Sequence, residues 1–335
     1  MTIKDLASAT GYSVGTISRV LNNQPNVSEK ARQTILKAAA DADFQLNSNA
    51  KQLKQQHGNS ILVVSKGISN ELFEQLVEAI QKLVSRTNYP LVVDYIDENE
   101  NEVLRAVKLC RELKPRGILF LGGNQENFLS HFHQISQPCV LVTNDAGELP
   151  FRNLSSVSSD NVLAARMAID HLVELGHRKI AVIGGDPQVS DTTKLRYSGC
   201  LEAFRAHGID FDEARDYEAT RFSHADGYNA AMNLLNRGRE FTALFAMSDV
   251  MAIGAIRALT DAGRKVPEEV SVVGLDGLDI GRFLVPRLST VEQSVELLAQ
   301  RSLELLCGAI ERNQLASHVT IPVTLLPRES TLKHN

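Results

Sequence analysis

No run in this sequence is apolar over the roughly 20 residues that a membrane-spanning helix needs. Behind Met1 the charged Lys4 and Asp5 come at once, with no apolar stretch of the kind a secretory signal carries. Both absences predict a cytoplasmic chain without a membrane partner. Tryptophan is missing and cysteine is scarce: Cys110, Cys139, Cys200 and Cys307 stand far apart in apolar surroundings. That spacing excludes a disulfide framework and a thiolate metal site, and reads as buried thiols in a reducing compartment. His-Glu-x-x-His is absent, and His57, His131 and His133 form no recognisable constellation, so no metal ion is expected. The glycine pairs Gly122-Gly123 and Gly184-Gly185 lack the spacing of a dinucleotide or P-loop fingerprint, so no nucleotide cofactor is expected. No nucleophile, base and acid occur with motif support, which argues against an enzyme.

What is present is an uneven charge. The whole chain carries −5, but residues 1–58 hold seven Lys and Arg against four acids, leaving +3 there and −8 on the rest. A small basic segment on an acidic body suits a polyanion partner, and on charge alone it suits an ordinary solvated surface equally well.

The first sixty residues read as three short helices. Ile3 and Leu6, with Ala7 or Ala9, are spaced for one helix, which Thr2 can cap. A break follows at Thr10-Gly11-Tyr12. Ser13 is placed to cap a second helix bearing Val14, Ile17, Val20 and Leu21, and Ser28 a third, with Ala31, Ile35, Ala38 and Ala42 on one face. Two short helices across a tight turn form a helix-turn-helix pattern, whose second helix enters the major groove of DNA. Ile17, Val20 and Leu21 are expected in the core of the head. Val14, Gly15, Thr16, Ser18 and Arg19 are left for DNA. Val14 can meet a thymine methyl, Gly15 lets the backbone approach, Thr16 and Ser18 can bond phosphate or base, and Arg19 can reach a guanine edge. The bland alternative is a surface helix weakened by Gly15. Residues 44–58 are polar, with one central apolar residue, Leu53, flanked by Lys51 and Lys54. Such a segment can fold against DNA with the leucine as a minor-groove wedge, or remain a tether.

These residues carry a resemblance. Asp5-Leu6-Ala7, the run Gly11 through Asn22, and Val27-Ser28 with Arg32 closely resemble the head of the lactose-repressor/galactose-repressor (LacI/GalR) family of bacterial transcriptional regulators. The resemblance implies operator choice by Val14 and Gly15, the two positions after the cap serine. It implies a hinge helix in which Asn47, Ala50 and Leu53 meet the minor groove. Thr2, Ser13 and Asn22 complete the implied DNA contacts. Leu46 stands where the family often has proline, and Asn49 where it often has valine.

Past Gly58 the pattern becomes alternating strands and helices, from ILVV at 61–64 to VSVVGLD at 270–276. Continuous apolar strands between amphipathic helices predict parallel sheets covered on both faces, and the number of strands calls for two sheets. The polar stretch near 155–160 and the segment 283–294 mark expected crossings between them. A cleft at the carboxyl ends of the strands is the natural ligand site. The expected fold is therefore an all-α head followed by an α/β body of two lobes. The domains are residues 1–45 (head), 46–58 (hinge) and 59–330 (body).

The family resemblance extends through the body, on DNVLAARMAIDHLVELGHRKIAVIGG. It implies two lobes like those of periplasmic sugar-binding proteins: an N-lobe of about 60–160 and 290–317, and a C-lobe of about 161–289 and 318–330. It implies that Arg196, in R-x-x-G with Gly199, and Asp276, ending VVGLD, hold the ligand. Ser248 occupies a position where many relatives have asparagine. Phe73 and Phe222 match ring-stacking positions, although ordinary core packing accounts for each as well. Asp145, Asp191 and Thr192 are weaker additions. His177 reads as structural.

The function expected is a homodimeric DNA-binding regulator, a repressor of a pseudo-palindromic operator, controlled by a small effector bound between the lobes. A sugar or sugar derivative leads, and a purine or nucleoside is the alternative. Inducer and corepressor are equally compatible with the residues. The reading from another class, a solute-binding module, explains the body but not the N-terminal helices.

Overall fold

The computed structural model describes residues 3–13, 16, 17, 20, 27–41, 58–67, 70–238 and 240–334. The chain divides into two compact units, Met1–His57 and Gly58–Asn335.

In the first unit, helix α1 (Ile3–Thr10) ends where Gly11 takes a φ of +71° and its N–H donates to the Ala7 carbonyl. That left-handed position is open to glycine at little cost and stops the helix. The Ser13 hydroxyl then accepts from the Thr16 N–H at 3.2 Å, capping the next helical turn as its residue type predicts. Helix α2 (Glu29–Asp41) begins with Ala31 N–H donating to Ser28 Oγ at 3.4 Å. Leu6, Ile17, Val20, Ile35 and Ala39 bury one another in a single small core. Ala39 joins Ala31 and Ile35 in the buried stripe, because a four-residue step keeps it on one line of the helix, and the expected Ala38 packs half-buried against the same core.

The body begins with β1 (Ile61–Lys66), α3 (Glu71–Val84), β2 (Leu91–Ile96), α4 (Glu102–Leu113), β3 (Gly117–Leu121), α5 (Gln125–His131), β4 (Cys139–Thr143) and β5 (Leu154–Ser159). The chain then crosses into the second lobe with α6 (Asn161–Glu174), β6 (Ile180–Gly184), α7 (Asp191–Ala206), β7 (Tyr217–Ala219), α8 (His224–Asn236), β8 (Ala243–Ala246), α9 (Asp249–Asp261), β9 (Ser271–Asp276) and β10 (Ser289–Gln293). It returns with α10 (Val295–Arg312) and β11 (His318–Ile321), and crosses a third time to β12 (Val323–Leu326).

One sheet runs β11-β5-β4-β3-β1-β2, all parallel; the other runs β12-β10-β9-β8-β6-β7, parallel except for β12. Each sheet has an apolar layer on both faces, which is why its strands read as unbroken hydrophobic runs. In each sheet the strand order reverses once, between β1 and β3 and between β6 and β8. Connections leave in opposite directions there and open a crevice beyond the carboxyl ends.

Two expected lobe boundaries shift. β10 pairs with β9, so 290–293 belongs to the C-lobe, and β11 pairs with β5, so 318–321 belongs to the N-lobe. The crossings therefore fall at Ser294, which caps α10, and at Pro322, which joins β11 to β12. Strands are placed by backbone pairing, which local sequence does not display. The stretch 155–160 is also more than a crossing. LSSVSS forms a fully buried strand. Ser156 Oγ donates to Asp145 Oδ1 at 2.8 Å and Ser155 Oγ accepts from the Ser317 N–H at 3.2 Å, while Ser159 Oγ is buried without a partner among the described residues. A hydrogen-bonded hydroxyl costs less to bury than a bare one.

Cys139 and Cys200 are buried, Cys110 and Cys307 half-buried, and all are free thiols. Burial pushes the Cys110 thiol up to about 11, which keeps it protonated and unreactive. Among the described residues no helix is long and apolar enough to cross a membrane, and no cluster of three or more metal-ligating side chains occurs. His177 is buried, hydrogen-bonds Thr242 Oγ1 at 2.9 Å and Ser271 Oγ at 3.0 Å, and stacks on His334, so its work is to seat the C-terminal segment on the lobe.

Candidate functional site

Between the two lobes lies a cleft of about 1070 Å³, walled by the ends of β1 and β3 on one side and of β6, β8 and β9 on the other. Its floor is built on Arg196. The side chain leaves the first turns of α7, whose cap is Ser190, and turns inward because Gly199 lets α7 pack directly on the α6 backbone at Val162. Arg196 Nε donates to Asn161 Oδ1 at 2.9 Å, Nη1 donates to the Met247 carbonyl, and Nη2 lies 3.7 Å from Asp276 Oδ1. At that distance Asp276 supplies charge without occupying the Nη2 protons, so donors remain to face the cleft.

Asp276 ends β9 and accepts from Gln293 Nε2 at 2.8 Å. Its φ is +133°, and Thr143, at the end of β4 on the opposite wall, has a φ of +78°. Neither residue adopts such a backbone cheaply; two strained strand ends facing one cleft are a signature of a functional site. Behind Asp276, Asp249 is fully buried, accepting from the Leu278 N–H at 2.7 Å and from Thr290 Oγ1 at 2.6 Å. Burial and the nearby Asp276 carboxylate push Asp249 up to about 7, and burial pushes Asp276 up to about 6 against the pull of Arg196.

Two rings flank this floor. Phe73, on α3, rests on Gly122, where an added Cβ would come 3.0 Å from the ring. Phe222, before α8, rests on Gly185, where an added Cβ would come 2.9 Å from the ring. Phe73 also belongs to the N-lobe core, so it serves both the cleft and the packing.

The lobes are tied across the cleft by several bonds. Gln125 N–H donates to Asp191 Oδ2 at 2.8 Å, Asn144 Nδ2 to Thr192 Oγ1 at 3.1 Å, and Asn124 Nδ2 to the Val189 carbonyl at 3.2 Å. At the rim Arg221 meets Glu98 and Asp97, and His224 Nε2 lies 3.5 Å from Glu71 Oε1.

Of the residues singled out from sequence, Phe73, Thr192, Arg196, Phe222, Ser248 and Asp276 line the cleft. Ser248 is also the cap of α9, accepting from the Met251 N–H at 3.3 Å. Asp191 and Asp145 do not line it. The Asp191 carboxylate is committed to the interlobe bond, and Asp145 accepts from Ser156 and from the Gly147 N–H in its own turn. Sequence reading missed Lys66, Asn144 and Arg221. Asp249, which the sequence offers as a ligand neighbour of Ser248 or as the cap of α9, is neither in the lining nor the cap: it is buried behind Asp276, and Ser248 is the cap. In the head, Ser13 is exposed and Thr16 half-buried, with their hydroxyls 2.9 Å apart, while Ile17 and Val20 face the core. Thr2, Val14, Gly15, Ser18, Arg19, Asn22, Asn47, Ala50 and Leu53 lie outside the described residues.

Comparison with known proteins covers both units. Residues 2–47 match the family model of bacterial regulatory proteins, lacI family, and residues 169–331 match a periplasmic binding protein-like domain. The chain is 32% identical over 335 residues to the HTH-type transcriptional regulator MalR of Clostridium butyricum, covering 98% of this chain and 99% of that one. It is 32% identical to the HTH-type transcriptional regulator GalS of Salmonella typhimurium, over 98% of this chain and 96% of that one. Among solved structures, the lac repressor dimer bound to operator and an anti-inducer matches with a TM-score of 0.75 at 26% identity, over 99% of both chains. The complex of the transcriptional regulator CelR with cellobiose matches with a TM-score of 0.73 at 27% identity, over 98% of this chain and 99% of that one.

Proposed function

The chain belongs to the lacI family of bacterial regulatory proteins, and from that premise we propose that it is a homodimeric repressor whose operator affinity is set by a sugar bound between the lobes. It is a sequence-specific DNA-binding transcriptional regulator with a helix-turn-helix head and a two-lobed body. The observation that carries the sugar reading is the floor of the cleft. A buried guanidinium with free donors stands beside a buried carboxylate acceptor, and an aromatic ring lies on each lobe. Adjacent hydroxyls of a sugar offer a donor and an acceptor at the spacing that such a pair recognises, and their C–H face suits a ring. The cellobiose bound by the similar regulator CelR agrees with this chemistry.

The ligand contacts both lobes, so it binds one lobe arrangement better than another. That difference is what the operator site reads as a change in affinity. Cytoplasmic action on DNA, without catalysis, follows from this role. Val14, Gly15, Thr16, Ser18 and Arg19 read the operator half-sites, and Leu53 the minor groove at the centre.

The test has two readouts on the full chain. Selection from random duplexes should return a pseudo-palindrome whose binding weakens steeply with salt. A thermal-shift screen of sugars, nucleosides and purines should then yield a sugar that changes operator affinity. No selected palindrome would refute the DNA role. A purine as the sole hit would refute the sugar reading and leave the regulator.

A further inference from the structure

We propose that the effector carries no anionic group and is longer than one sugar ring: a neutral oligosaccharide rather than a sugar phosphate, a sugar acid or a monosaccharide. The inference rests on the sugar reading of the cleft and deepens it.

The charge of the lining decides the first half. Among the described residues the cleft presents three cations, Lys66, Arg196 and Arg221, against five carboxylates, Asp97, Glu98, Asp186, Asp226 and Asp276. Each cation already has a carboxylate of its own. Lys66 Nζ lies 2.7 Å from Oε2 of Glu102, which is fully buried and also accepts from the Asn124 N–H at 2.7 Å and Asn127 Nδ2 at 3.0 Å. Arg196 has Asp276 at 3.7 Å, with Asp249 behind it. Arg221 is held between Glu98 and Asp97.

The other usual source of positive potential is also partly engaged. Helices α3, α5, α7, α8 and α9 begin at the carboxyl ends of strands, where their N-termini would welcome a phosphate. Each has a side-chain cap accepting a first-turn N–H: Asn70, Asn124, Ser190, Ser223 and Ser248. The Gln125 N–H is further occupied by Asp191. An anion entering here would meet surplus carboxylates and no unpaired cation, so its desolvation would go uncompensated. A neutral ligand meets hydroxyl, amide and shared charged partners, all of which bond without a net charge.

The second half follows from size. About 1070 Å³ lies at the top of the range, roughly 300–1,000 Å³, of clefts that enclose drug-sized ligands. Polar groups stand at both ends, Arg196 and Asp276 at the floor and Asp97, Arg221 and Asp226 at the rim. One ring at the floor would leave the rim groups to water.

Calorimetric titration of the full chain would compare neutral disaccharides (maltose, cellobiose, lactose, sucrose, trehalose and melibiose) with glucose, galactose, ribose, glucose 6-phosphate and glucuronate. The expected result is one disaccharide binding at least tenfold tighter than any monosaccharide, with no measurable binding of the phosphate or the acid. Tightest binding by glucose 6-phosphate, glucuronate or a monosaccharide would overturn this inference and leave the sugar reading standing. Binding of none of these, with a purine binding instead, would overturn both. The variant Asp97→Asn/Glu98→Gln releases Arg221. It should accept the phosphorylated form of the preferred sugar at least tenfold better than the natural chain does; no gain would show that the pairing of Arg221 is not what excludes anions.

Discussion

Arg196 and Asp276 face each other at 3.7 Å, Nη2 to Oδ1, and both are almost wholly buried. The guanidinium is held on its far side by Asn161 and the Met247 carbonyl, so the pair is rigid before any ligand arrives. A preformed donor and acceptor cost little to order on binding.

Asp276→Asn keeps the shape of this floor and removes its charge. Effector affinity is expected to fall at least tenfold, which is about 1.4 kcal/mol, with operator binding retained. Arg196→Ala should be harsher. It strands a buried carboxylate and should also destabilise the body by about 3–5 kcal/mol. Calorimetry with the identified effector, alongside denaturation and a DNA-binding assay, separates the two effects. Unchanged effector affinity in Asp276→Asn would move the binding site elsewhere.

Asp249 and Asp276 bear on stability against pH. Both are raised on folding, to about 7 and about 6, from an ordinary value of 3.8. A raised carboxylate favours the folded state most when it is protonated, and that contribution is lost as pH climbs through the folded-state values. The body should therefore lose stability from this pair as pH rises towards 7. Asp249→Asn retains an acceptor for the Leu278 N–H, and the Thr290 hydroxyl can reverse to accept from the new amide. Denaturation of both proteins over roughly pH 5 to 8 should show a flatter profile for the variant. Identical profiles would sink the assignment.

The seat of Phe222 offers a third test. Gly185→Ala would put a methyl 2.9 Å from the Phe222 ring and 2.5 Å from the buried Thr193 hydroxyl. The ring must move, and overpacking of this kind costs about 1–3 kcal/mol. Weaker effector binding with a modest drop in melting temperature is expected. Affinity equal to the natural chain would mean that the ring takes no part.

For the head, exchanging Val14 and Gly15 for the pair of a relative should carry operator preference to that relative's sequence with little change in melting temperature. An unchanged selected operator would refute their role.

On the proposed wedge role, Leu53→Ala should weaken specific binding more than nonspecific binding, because a wedge would support a bend that only the operator repays. Equal losses on both kinds of DNA would leave the leucine a packing role only.

Local sequence by itself determined the helical head, the alternation of strand and helix, and the caps Ser13 and Ser28, because each of these is set within a few residues by hydrogen bonding and hydrophobic period. Together with the family pattern it also reached Arg196 and Asp276, since both sit where a strand or helix end leaves a recognisable signature. Tertiary structure alone decided which lobe receives β10 and β11, for a strand joins a sheet through its pairing partners, which lie more than a hundred residues away in the case of β5 and β11. It alone buried the serine-rich β5, by supplying partners from Asp145 and Ser317. And it alone separated Asp145 and Asp191 from the cleft while bringing Lys66, Asn144 and Arg221 to it. A carboxylate's role depends on which donor reaches it first, and that is a property of the folded chain rather than of its neighbours in sequence.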